Sequence, residues 1–478
     1  MAGNAREVAL LTLSACDRQG AWSDLSLKKN IRAAGLDNRD AALATRLCFG
    51  VLQNRLLLDF YISKFSTVKP DRMENKVLNA LRLGVYQMAF LTRVPASAAV
   101  NESVGLVKRY SKNPRSPGLV NGILRSVARN IDRLPIIPDE DPISYLSMRY
   151  SHPAWLVRTF WETLGPVETE QLLTLNNGEP PTVAQINPLR GSMEEILTSL
   201  RADGAEVEPH PWLPDCVTLT GGGDLENLTA FQEGRIYIQD AGARLAVLAA
   251  EPKPGMTILD ACAAPGGKSF AAAIEMENQG KLVSCDIHAH KKALIDSGAR
   301  RLGLSCITPA VQDGKVRRAE WEKSFDLAMA DVPCSGLGII RKKPDIRYKD
   351  PVPLAGLPAV QSAILSNVSA YVKPGGVLLY CTCTLQTSEN EDVVNAFLSA
   401  NPEYALEGFT LPGPVGEVPD GMVTLWPQRH GTDGFFFAKL RRRPDSAIDY
   451  RKTLSSDRMA QTVQENGQIL SEKSGGGV

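Results

Sequence analysis

The chain has 478 residues, too many for one hydrophobic core, so we expect two to four domains. Its 44% hydrophobic and 22% charged residues are typical of a soluble globular protein and argue against large-scale disorder. The 53 Lys and Arg residues balance 53 Asp and Glu residues, so the net charge does not indicate a nucleic-acid partner. Without a long apolar run or a signal-peptide pattern, the sequence predicts a cytoplasmic protein with no membrane contact.

Residues 1–140 read as an all-helical domain. Apolar residues recur every three or four positions in "REVALLTLSACDRQ" and again in "RDAALATRLCFGVLQNRLLLDFYISKF". Asp37 to Asp40 supply helix-start residues before the second of these segments. The same periodicity continues to "GLVNGILRSVARN", with no convincing alternating strand between, so we predict a helical bundle.

Residues 141–235 read as a small α+β domain. The segment "LPIIPDEDP" (Leu134–Pro142) is rich in proline and acid and resembles a linker. A helical segment, "SHPAWLVRTFWETLG", follows it, and "TVAQINP", "GAEVEPHPWLPDCVTLTG" and "GRIYIQD" then read as short strands with turns.

Residues 236–442 alternate short apolar strands with helices, which predicts a doubly wound, Rossmann-like α/β domain. The predicted strands are "TILDA", "LVSCD", "CITPA", "FDLAMAD" and "GVLLYCT". Functional side chains should then lie at the carboxyl ends of the strands. Residues 443–478 contain few apolar residues, so we predict a disordered tail.

The segment "ILDACAAPGGKSFAAA" (Ile258–Ala273) predicts a strand, a turn of small residues and a helix that together hold a ligand. It has only the second half of a phosphate-binding loop, because Cys262 stands where that motif needs its first glycine. Acids instead end three successive strands, at Asp260, Asp286 and Asp313. Carboxylates repel phosphate but suit a sulfonium, an ammonium and ribose hydroxyls. They therefore favour S-adenosylmethionine over a nucleoside triphosphate.

Two cysteines share the end of the last strand, in "LLYCTCTLQTSENE" (Leu378–Glu391). Cys381 and Cys383 would face the same side, and only the later one would reach the loop. A metal site formed with Cys334 lacks a fourth ligand, and a redox pair is usually C-x-x-C. Buried structural cysteines remain an alternative. Ser388 and Glu391 match a helix capping box.

The motifs "DACAAPGGKS", "DVPCSG" and "CTCTLQTSENE" resemble, in this order, those of the Sun/Nop family of RNA cytosine carbon-5 methyltransferases. From about residue 5 to 442 the chain is similar to the bacterial RsmB (Sun, Fmu) branch, which modifies small-subunit ribosomal RNA. "GLDNRDAALATRLCFGVLQNR" and "GLVNGILR" are similar to its NusB-like domain, "YSHPAWLVRTFWETLG" to its small RNA-binding domain and "GTDGFFFAKLRR" to its closing strand.

The resemblance implies a role for each matching residue. Cys383 would be the nucleophile that adds to carbon 6 of cytosine, and Cys334 would help to remove the carbon-5 proton. Asp331 would hydrogen-bond the base, with Lys268 near it. The residues implied to hold S-adenosylmethionine are Cys262, Ala263, Ala264, Pro265, Gly266, Gly267, Lys268, Asp286, Asp313 and Asp331. No metal is implied.

The implied substrate is 16S ribosomal RNA, unassembled or early in assembly, and the implied state is a monomer. "RKKPDIRYK" (Arg341–Lys349) would contact phosphates beside the target. Two alternatives remain: the same chemistry on transfer RNA, and a non-catalytic, NusB-like ribosome assembly factor.

Overall fold

The structure is a computed structural model that describes residues 4–19, 22–221 and 225–445. The predicted disordered tail, 443–478, thus lies almost wholly outside the described residues. The chain divides into two compact units. Unit 1 contains residues 1–180, 336–351 and 426–431, and unit 2 contains residues 181–335, 352–425 and those from 432 onward.

Unit 1 is helical, which confirms the prediction for the N-terminal part of the chain. Its core is a cluster of buried apolar residues that includes Leu47, Leu58 and Leu81. Its α-helices up to residue 176, as far as the chain is described, are α1 (Ala5–Gln19), α2 (Ser23–Ala34), α3 (Asn38–Gln53), α4 (Arg55–Phe65), α5 (Asn75–Phe90), α6 (Ala96–Tyr110), α7 (Ser116–Arg129), α8 (Pro142–Tyr150) and α9 (Ala154–Asn176).

Local chemistry explains where two of these helices begin or bend. The Asp37 side chain accepts a hydrogen bond from the backbone N–H of Asp40 at 2.8 Å, so the predicted start of α3 is confirmed. Helix α9 changes direction at Gly165, whose φ of +73° interrupts the helix before Pro166. The predicted helix that ends at Gly165 is therefore the first half of a longer, kinked one.

Unit 2 begins with an antiparallel sheet in the order β2-β3-β1-β4, which confirms the predicted small α+β region. Its strands are β1 (Thr182–Ile186), β2 (Ala205–Pro209), β3 (Cys216–Gly221) and β4 (Ile236–Ile238), with helices α10 (Met193–Ala202) and α11 (Thr229–Gln232). Helix α10 starts with a capping box between Ser192 and Glu195.

A larger mixed sheet forms the rest of unit 2, and its order is β10-β14-β9-β8-β5-β6-β7, with β13 beside β14. Its strands are β5 (Thr257–Asp260), β6 (Lys281–Asp286), β7 (Ile307–Val311), β8 (Phe325–Asp331), β9 (Val372–Thr382), β10 (Tyr404–Leu406), β13 (Met422–Leu425) and β14 (Phe435–Arg442). A separate hairpin joins β11 (Phe409–Leu411) to β12 (Gly416–Val418). The remaining helices are α12 (Ala241–Ala250), α13 (Gly267–Glu275), α14 (Ala289–Leu302), α15 (Pro351–Leu354), α16 (Leu357–Ser369), α17 (Glu391–Ala400) and, in unit 1, α18 (Pro427–His430).

The sheet order places a ligand crevice where the sequence predicted one. Strand β5 has parallel neighbours on both sides, β6 and β8, so the strand order reverses at β5. The carboxyl ends of strands at such a switch point border the crevice in which α/β proteins bind ligands. The five predicted strands, β5 to β9, run parallel to one another, which confirms the Rossmann-like core.

Three details differ from the sequence prediction or extend it. Strand β14 enters the sheet antiparallel to β9, so the sheet is not wholly parallel. The capping box expected from Ser388 is wrong, because α17 begins at Glu391 with Asn390 as its N-cap and no side-chain cap. The compact units also divide the chain at 180, whereas the predicted domain boundaries, which stay predictions, are at 140 and 235.

Among the described helices, none is both long and apolar enough to cross a membrane.

Candidate active site

The turn after β5 is tied down by backbone hydrogen bonds to its neighbouring strands. The N–H of Ala261 donates to the carbonyl of Met329 at 2.9 Å, and that of Ala263 donates to Cys285 at 2.7 Å. Gly266 has a φ of +116°, and a Cβ there would lie 2.4 Å from the Phe270 ring. Only glycine fits this position, so the turn brings bare backbone to the crevice where α13 begins.

Lys268, in the first turn of α13, reaches across to the end of β8. Its Nζ lies 2.6 Å from Asp331 Oδ2 and 4.8 Å from the centre of the Phe435 ring. Burial opposes a charge on Lys268, but the Asp331 carboxylate outweighs burial and raises the pKa of the ammonium group. Lys268 therefore keeps its charge in the pair, and the Asp331 side chain is still 30% exposed.

The loops after β8 and β9 bring two sulfur atoms together. The Sγ atoms of Cys334 and Cys383 lie 3.2 Å apart, and both residues are half-buried. The hydrogen bond from Cys334 lowers the pKa of the Cys383 thiol. That contact and burial raise the pKa of Cys334. The geometry therefore favours a thiolate on Cys383 beside a neutral thiol on Cys334.

Cys381 differs from Cys383 in position and in chemistry. It lies inside the sheet, opposite Asp331 on β8 and Phe437 on β14, and its side chain is fully buried. Burial raises the pKa of Cys381 well above its ordinary value. A buried neutral thiol of this kind packs like a small apolar side chain.

The three acids at the strand ends have different surroundings. Asp260 is fully buried, accepts a hydrogen bond from Ser269 Oγ at 2.7 Å, and has a pKa that burial raises to about 7. This hydrogen bond links the end of β5 to the first turn of α13. Asp286 ends β6 and Asp313 lies just after the neighbouring β7, and the N–H of Gln312 donates to the Asp286 carbonyl at 3.0 Å. Their carboxylates also accept the backbone N–H groups of His288 and Lys315, respectively.

The structure adds residues that the sequence analysis did not single out. Phe435 lies against Lys268, and Gln239 has a buried amide nitrogen without a partner among the described residues. A Cβ on Gly267 would approach that nitrogen to 3.2 Å. Glu389, only 2% exposed, hydrogen-bonds beside both cysteines. Gln239 and Phe435 lie outside the three sequence motifs, so their sequence context provides little signal that they would line the site. Glu389 lies within the quoted cysteine motif, but nothing in the pattern showed that its side chain would be buried beside the cysteines.

The predicted phosphate-binding cluster "RKKPDIRYK" belongs to unit 1. Arg347 is fully buried there, so the expectation of a phosphate contact is wrong for this residue. Its guanidinium donates to Asn177 Oδ1 at 2.7 Å and to the Asn176 carbonyl at 3.1 Å. The Lys343 ammonium, in turn, lies 3.5 Å from Asp24 and 5.3 Å from the Trp22 ring centre.

Within the described ranges, no group of three or more His, Cys, Asp or Glu residues is arranged to hold a metal ion.

Three family models match the chain. The model of the 16S rRNA methyltransferase RsmB/F matches residues 247–441, and that of the NusB family matches residues 3–129. A model of the ferredoxin-like domain of RsmF/B-like methyltransferases matches residues 152–226. The large mixed sheet, the helical unit and the small antiparallel sheet with its preceding helix therefore each correspond, in whole or in part, to a known domain type.

Curated relatives match along most of their length. The chain is 37% identical over 447 residues to the probable ribosomal RNA small subunit methyltransferase B of Bacillus subtilis, covering 92% of this chain and 98% of that one. It is 33% identical over 412 residues to the ribosomal RNA small subunit methyltransferase B of Cronobacter sakazakii, covering 85% and 92%.

Solved structures share the fold. The crystal structure of PH0851 matches with a TM-score of 0.78 and 24% identity over 92% of this chain and 100% of that one. The structure of NSun6 from Pyrococcus horikoshii with SFG matches with a TM-score of 0.53 and 20% identity, covering 61% of this chain and 98% of that one. At these identities the likeness concerns the fold alone.

Proposed function

We propose that this chain, which belongs to the RsmB/F family of 16S ribosomal RNA methyltransferases, methylates carbon 5 of a specific cytosine through a covalent cysteine adduct. Membership of this family makes the chain an S-adenosylmethionine-dependent RNA methyltransferase. The observation that supports the finer proposal is the 3.2 Å contact between Cys334 and Cys383 at the edge that also carries Lys268 and Asp331.

The crevice residues fit S-adenosylmethionine. Gly266 leaves room for the backbone to approach a ligand, and the unpartnered Gln239 nitrogen beside Gly267 is suited to a carboxylate. Asp286 would accept hydrogen bonds from the ribose hydroxyls, and Asp313 would accept one from the adenine amino group. The remaining residues proposed to line the site are Cys262, Ala263, Ala264, Pro265, Lys268 and Asp331.

Cys383 is the proposed nucleophile. Its thiolate adds to carbon 6 of cytosine, so a sulfur–carbon bond forms and the electron pair of the carbon 5–carbon 6 double bond becomes available at carbon 5. S-adenosylmethionine supplies the methyl group, and the electron pair of its methyl–sulfur bond leaves with S-adenosylhomocysteine. The low pKa of Cys383 relative to Cys381 supports the choice of nucleophile.

Asp331 and Cys334 act on the other atoms of the base. Asp331, held by Lys268, accepts a hydrogen bond from the amino group and, once N3 of the adduct carries a proton, from N3–H, which stabilises the adduct. Once Cys383 is bonded to carbon, Cys334 loses its own proton to solvent and, as a thiolate, assists in taking the carbon-5 proton. The electron pair of that carbon–hydrogen bond restores the double bond as the carbon 6–sulfur bond breaks. The sulfur leaves with its electron pair, which returns Cys383 to the thiolate.

The proposed substrate is 16S ribosomal RNA, unassembled or early in assembly. The names of the curated relatives and the NusB-type region support an RNA substrate of this kind. Because the net charge is zero, binding should depend on local basic surfaces, and affinity should fall as the salt concentration rises.

The test compares wild type with Cys334→Ala, Cys383→Ala and Cys381→Ala on deproteinised 16S RNA and S-adenosylmethionine. We expect a denaturation-resistant protein–RNA band to accumulate only with Cys334→Ala, because release fails there. Cys383→Ala should lose methylation, and Cys381→Ala should retain it. Bisulfite sequencing of the product RNA identifies the methylated cytosine.

Opposite results are informative in different ways. An active Cys383→Ala with an inactive Cys381→Ala would overturn the choice of nucleophile. Methylation of transfer RNA but not of 16S RNA would overturn the substrate. Binding of 16S RNA by wild type without methyl transfer would instead favour a non-catalytic assembly factor.

A further inference from the structure

Glu389 is a buried carboxylate without a cationic partner among the described residues. It ends a short turn after β9, its side chain is 2% exposed, and no Lys or Arg forms a salt bridge with it in the described part of the chain. A carboxylate loses much hydration on burial, so hydrogen-bond donors must replace water. The backbone N–H of Ser335 and the Gln361 side-chain amide donate to Oε2 at 2.9 and 2.8 Å, and Thr384 Oγ1 donates to Oε1 at 3.4 Å.

The partners of Glu389 adjoin the two sulfur-bearing residues. Ser335 follows Cys334 directly, and Thr384 follows Cys383 directly. The hydroxyl groups of Ser335 and Thr384 also contact each other at 2.7 Å. One carboxylate therefore bridges both cysteine loops.

Two neighbouring side chains complete this brace around both cysteines. Besides binding Glu389, Gln361 on α16 donates to the Pro333 carbonyl at 3.0 Å, so Cys334 is held from both flanks. Asn390 accepts from Thr382 Oγ1 at 2.6 Å and donates to the Thr384 carbonyl at 3.1 Å, so Cys383 is held likewise. Because interior side chains have little freedom to relax, this network fixes the separation of the two loops.

We propose that Glu389 is a positioning residue that keeps the Cys334 and Cys383 sulfurs in contact by bridging their two loops. The inference rests on the proposed function, in which the sulfurs act at adjacent atoms of one base. Small displacements at such a site reduce the rate steeply. Glu389 touches neither the base nor the methyl donor in this scheme.

The charge of Glu389 has a second effect on the pair. Its carboxylate contributes to the raised pKa of Cys334, which helps to keep that sulfur protonated as the donor to Cys383. The other charged groups that act on Cys383 are Asp331 and Asp433, which oppose its thiolate, and Lys268, which favours it. The charged side chains that act on Cys334 therefore differ from those that act on Cys383.

The test measures thiol reactivity, which requires neither RNA nor methyl donor. The full-length protein is alkylated with iodoacetamide from pH 6 to 10, and the rate at each cysteine is read by peptide mass mapping. We expect Glu389→Ala to move the Cys383 midpoint to higher pH, as Cys334→Ala does, because the sulfur contact is lost. In the Glu389→Ala/Cys334→Ala double variant, Glu389→Ala should add no further shift.

If Glu389 only stabilised the fold, the pH profiles of cysteine alkylation would differ from those expected above. A Cys383 profile unchanged by Glu389→Ala, or a shift that persists undiminished in the Cys334→Ala background, would overturn the proposal. Glu389→Gln keeps the shape and an acceptor, so it serves if Glu389→Ala fails to fold. It should leave the Cys383 midpoint in place and move Cys334 alkylation to lower pH, and a Cys383 shift as large as that of Cys334→Ala would contradict the bridging role.

The matched control is Glu391→Ala. Glu391 lies two residues away, and its carboxylate accepts from Thr424 Oγ1 on β13 at 2.9 Å rather than from a residue of either cysteine loop. It should leave both alkylation profiles unchanged. With 16S RNA, Glu389→Ala should release its adduct roughly 10- to 100-fold more slowly than wild type. Wild-type release with Glu389→Ala would count against positioning, whereas no adduct with Cys334→Ala would refute the proposed function and leave the thiol test valid.

Discussion

Lys268 and Asp331 form a close charge pair at the carboxyl ends of the parallel strands, with Nζ 2.6 Å from Oδ2. The ammonium group is almost buried, whereas the carboxylate is partly open to the crevice. The charge on Lys268 thus compensates a carboxylate that is proposed to face the base. Removing it would leave Asp331 both misoriented and less well stabilised as an anion.

We therefore predict that Lys268→Met lowers kcat for methyl transfer by about 10- to 100-fold, since hydrogen bonds between charged groups contribute about 1.5–3 kcal/mol. Steady-state kinetics on 16S RNA measures this. Lys253→Met is the matched control, because its exposed ammonium lies 4.0 Å from Glu251, away from the crevice. Equal rates for the two variants would contradict a role for the pair.

Gly266→Ala should weaken binding of S-adenosylhomocysteine. The φ of +116° strains any residue with a Cβ, and that atom would collide with Phe270. Strain of this type costs about 1–3 kcal/mol, so titration calorimetry should find a dissociation constant raised about tenfold or more. Gly255→Ala, at φ +86° with open space around its Cβ, should bind as wild type does. Similar losses in both variants would indicate general destabilisation.

Arg347→Met should destabilise unit 1. The substitution leaves Asn177 Oδ1 and the Asn176 carbonyl without a donor, whereas the Tyr150 and Ser151 carbonyls keep hydrogen bonds from the Asn177 side-chain amide and the Tyr348 hydroxyl. Leaving a buried acceptor unpaired costs about 1–3 kcal/mol for each group, so a loss of at least ~2 kcal/mol is expected. Amide hydrogen exchange in α9 measures it locally.

The exposed Arg125→Met provides the control for this change. Arg125 bonds Asn121 at the surface of α7, and surface substitutions of this kind change stability by about 0.5 kcal/mol or less. If the amide groups of α9 exchange equally slowly in Arg347→Met and in Arg125→Met, the buried guanidinium contributes no stability.

The ion pair of Glu407 should make the free energy of unfolding of unit 2 fall at acidic pH. Hydrogen bonds from Arg441 outweigh burial and lower the pKa of Glu407 to about 2 from 4.5. Because the folded-state pKa is lowered, this stabilisation is complete above pH 4.5 and is lost as the pH falls toward 2. Wild type should exceed Glu407→Gln in free energy of unfolding at pH 7, and the difference should shrink from pH 4.5 downward.

Urea titrations at pH 7, 4 and 3 measure this difference. The control is Glu417→Gln, which removes an exposed acid on β12 that has no ion pair among the described residues. A Glu407→Gln difference that is constant with pH, or that changes no more than the difference of the control, would show that the ion pair does not account for the dependence.

Local patterns explain why much of the fold was predictable. The 3.6-residue periodicity and Asp37 identified helices, and short apolar runs ending in Asp260, Asp286 and Asp331 identified parallel strands. Parallel strands bring their carboxyl ends to one edge, so residues far apart in sequence could be assigned to one crevice.

What the sequence did not reveal depends on non-local contacts. The place of β14 beside β9, and hence of Phe435 against Lys268, follows from sheet pairing rather than from the residues of β14. Arg347 reads as part of a basic surface, yet its burial depends on carbonyls nearly 200 residues away in sequence. Ser388 and Glu391 match a capping pattern, but Asn390 is the N-cap and Glu389 turns inward.

The interleaved path of the chain limits how the protein can be dissected. Residues 336–351 complete unit 1 although they lie in sequence between β8 and β9 of unit 2. A fragment that stops at residue 180 would lack Arg347, and the carbonyls that it satisfies would lose their donor. An N-terminal fragment should therefore fold poorly unless the 336–351 peptide is supplied in trans. A fragment that contains the whole of unit 2 as one continuous chain would also contain residues 336–351, which belong to unit 1.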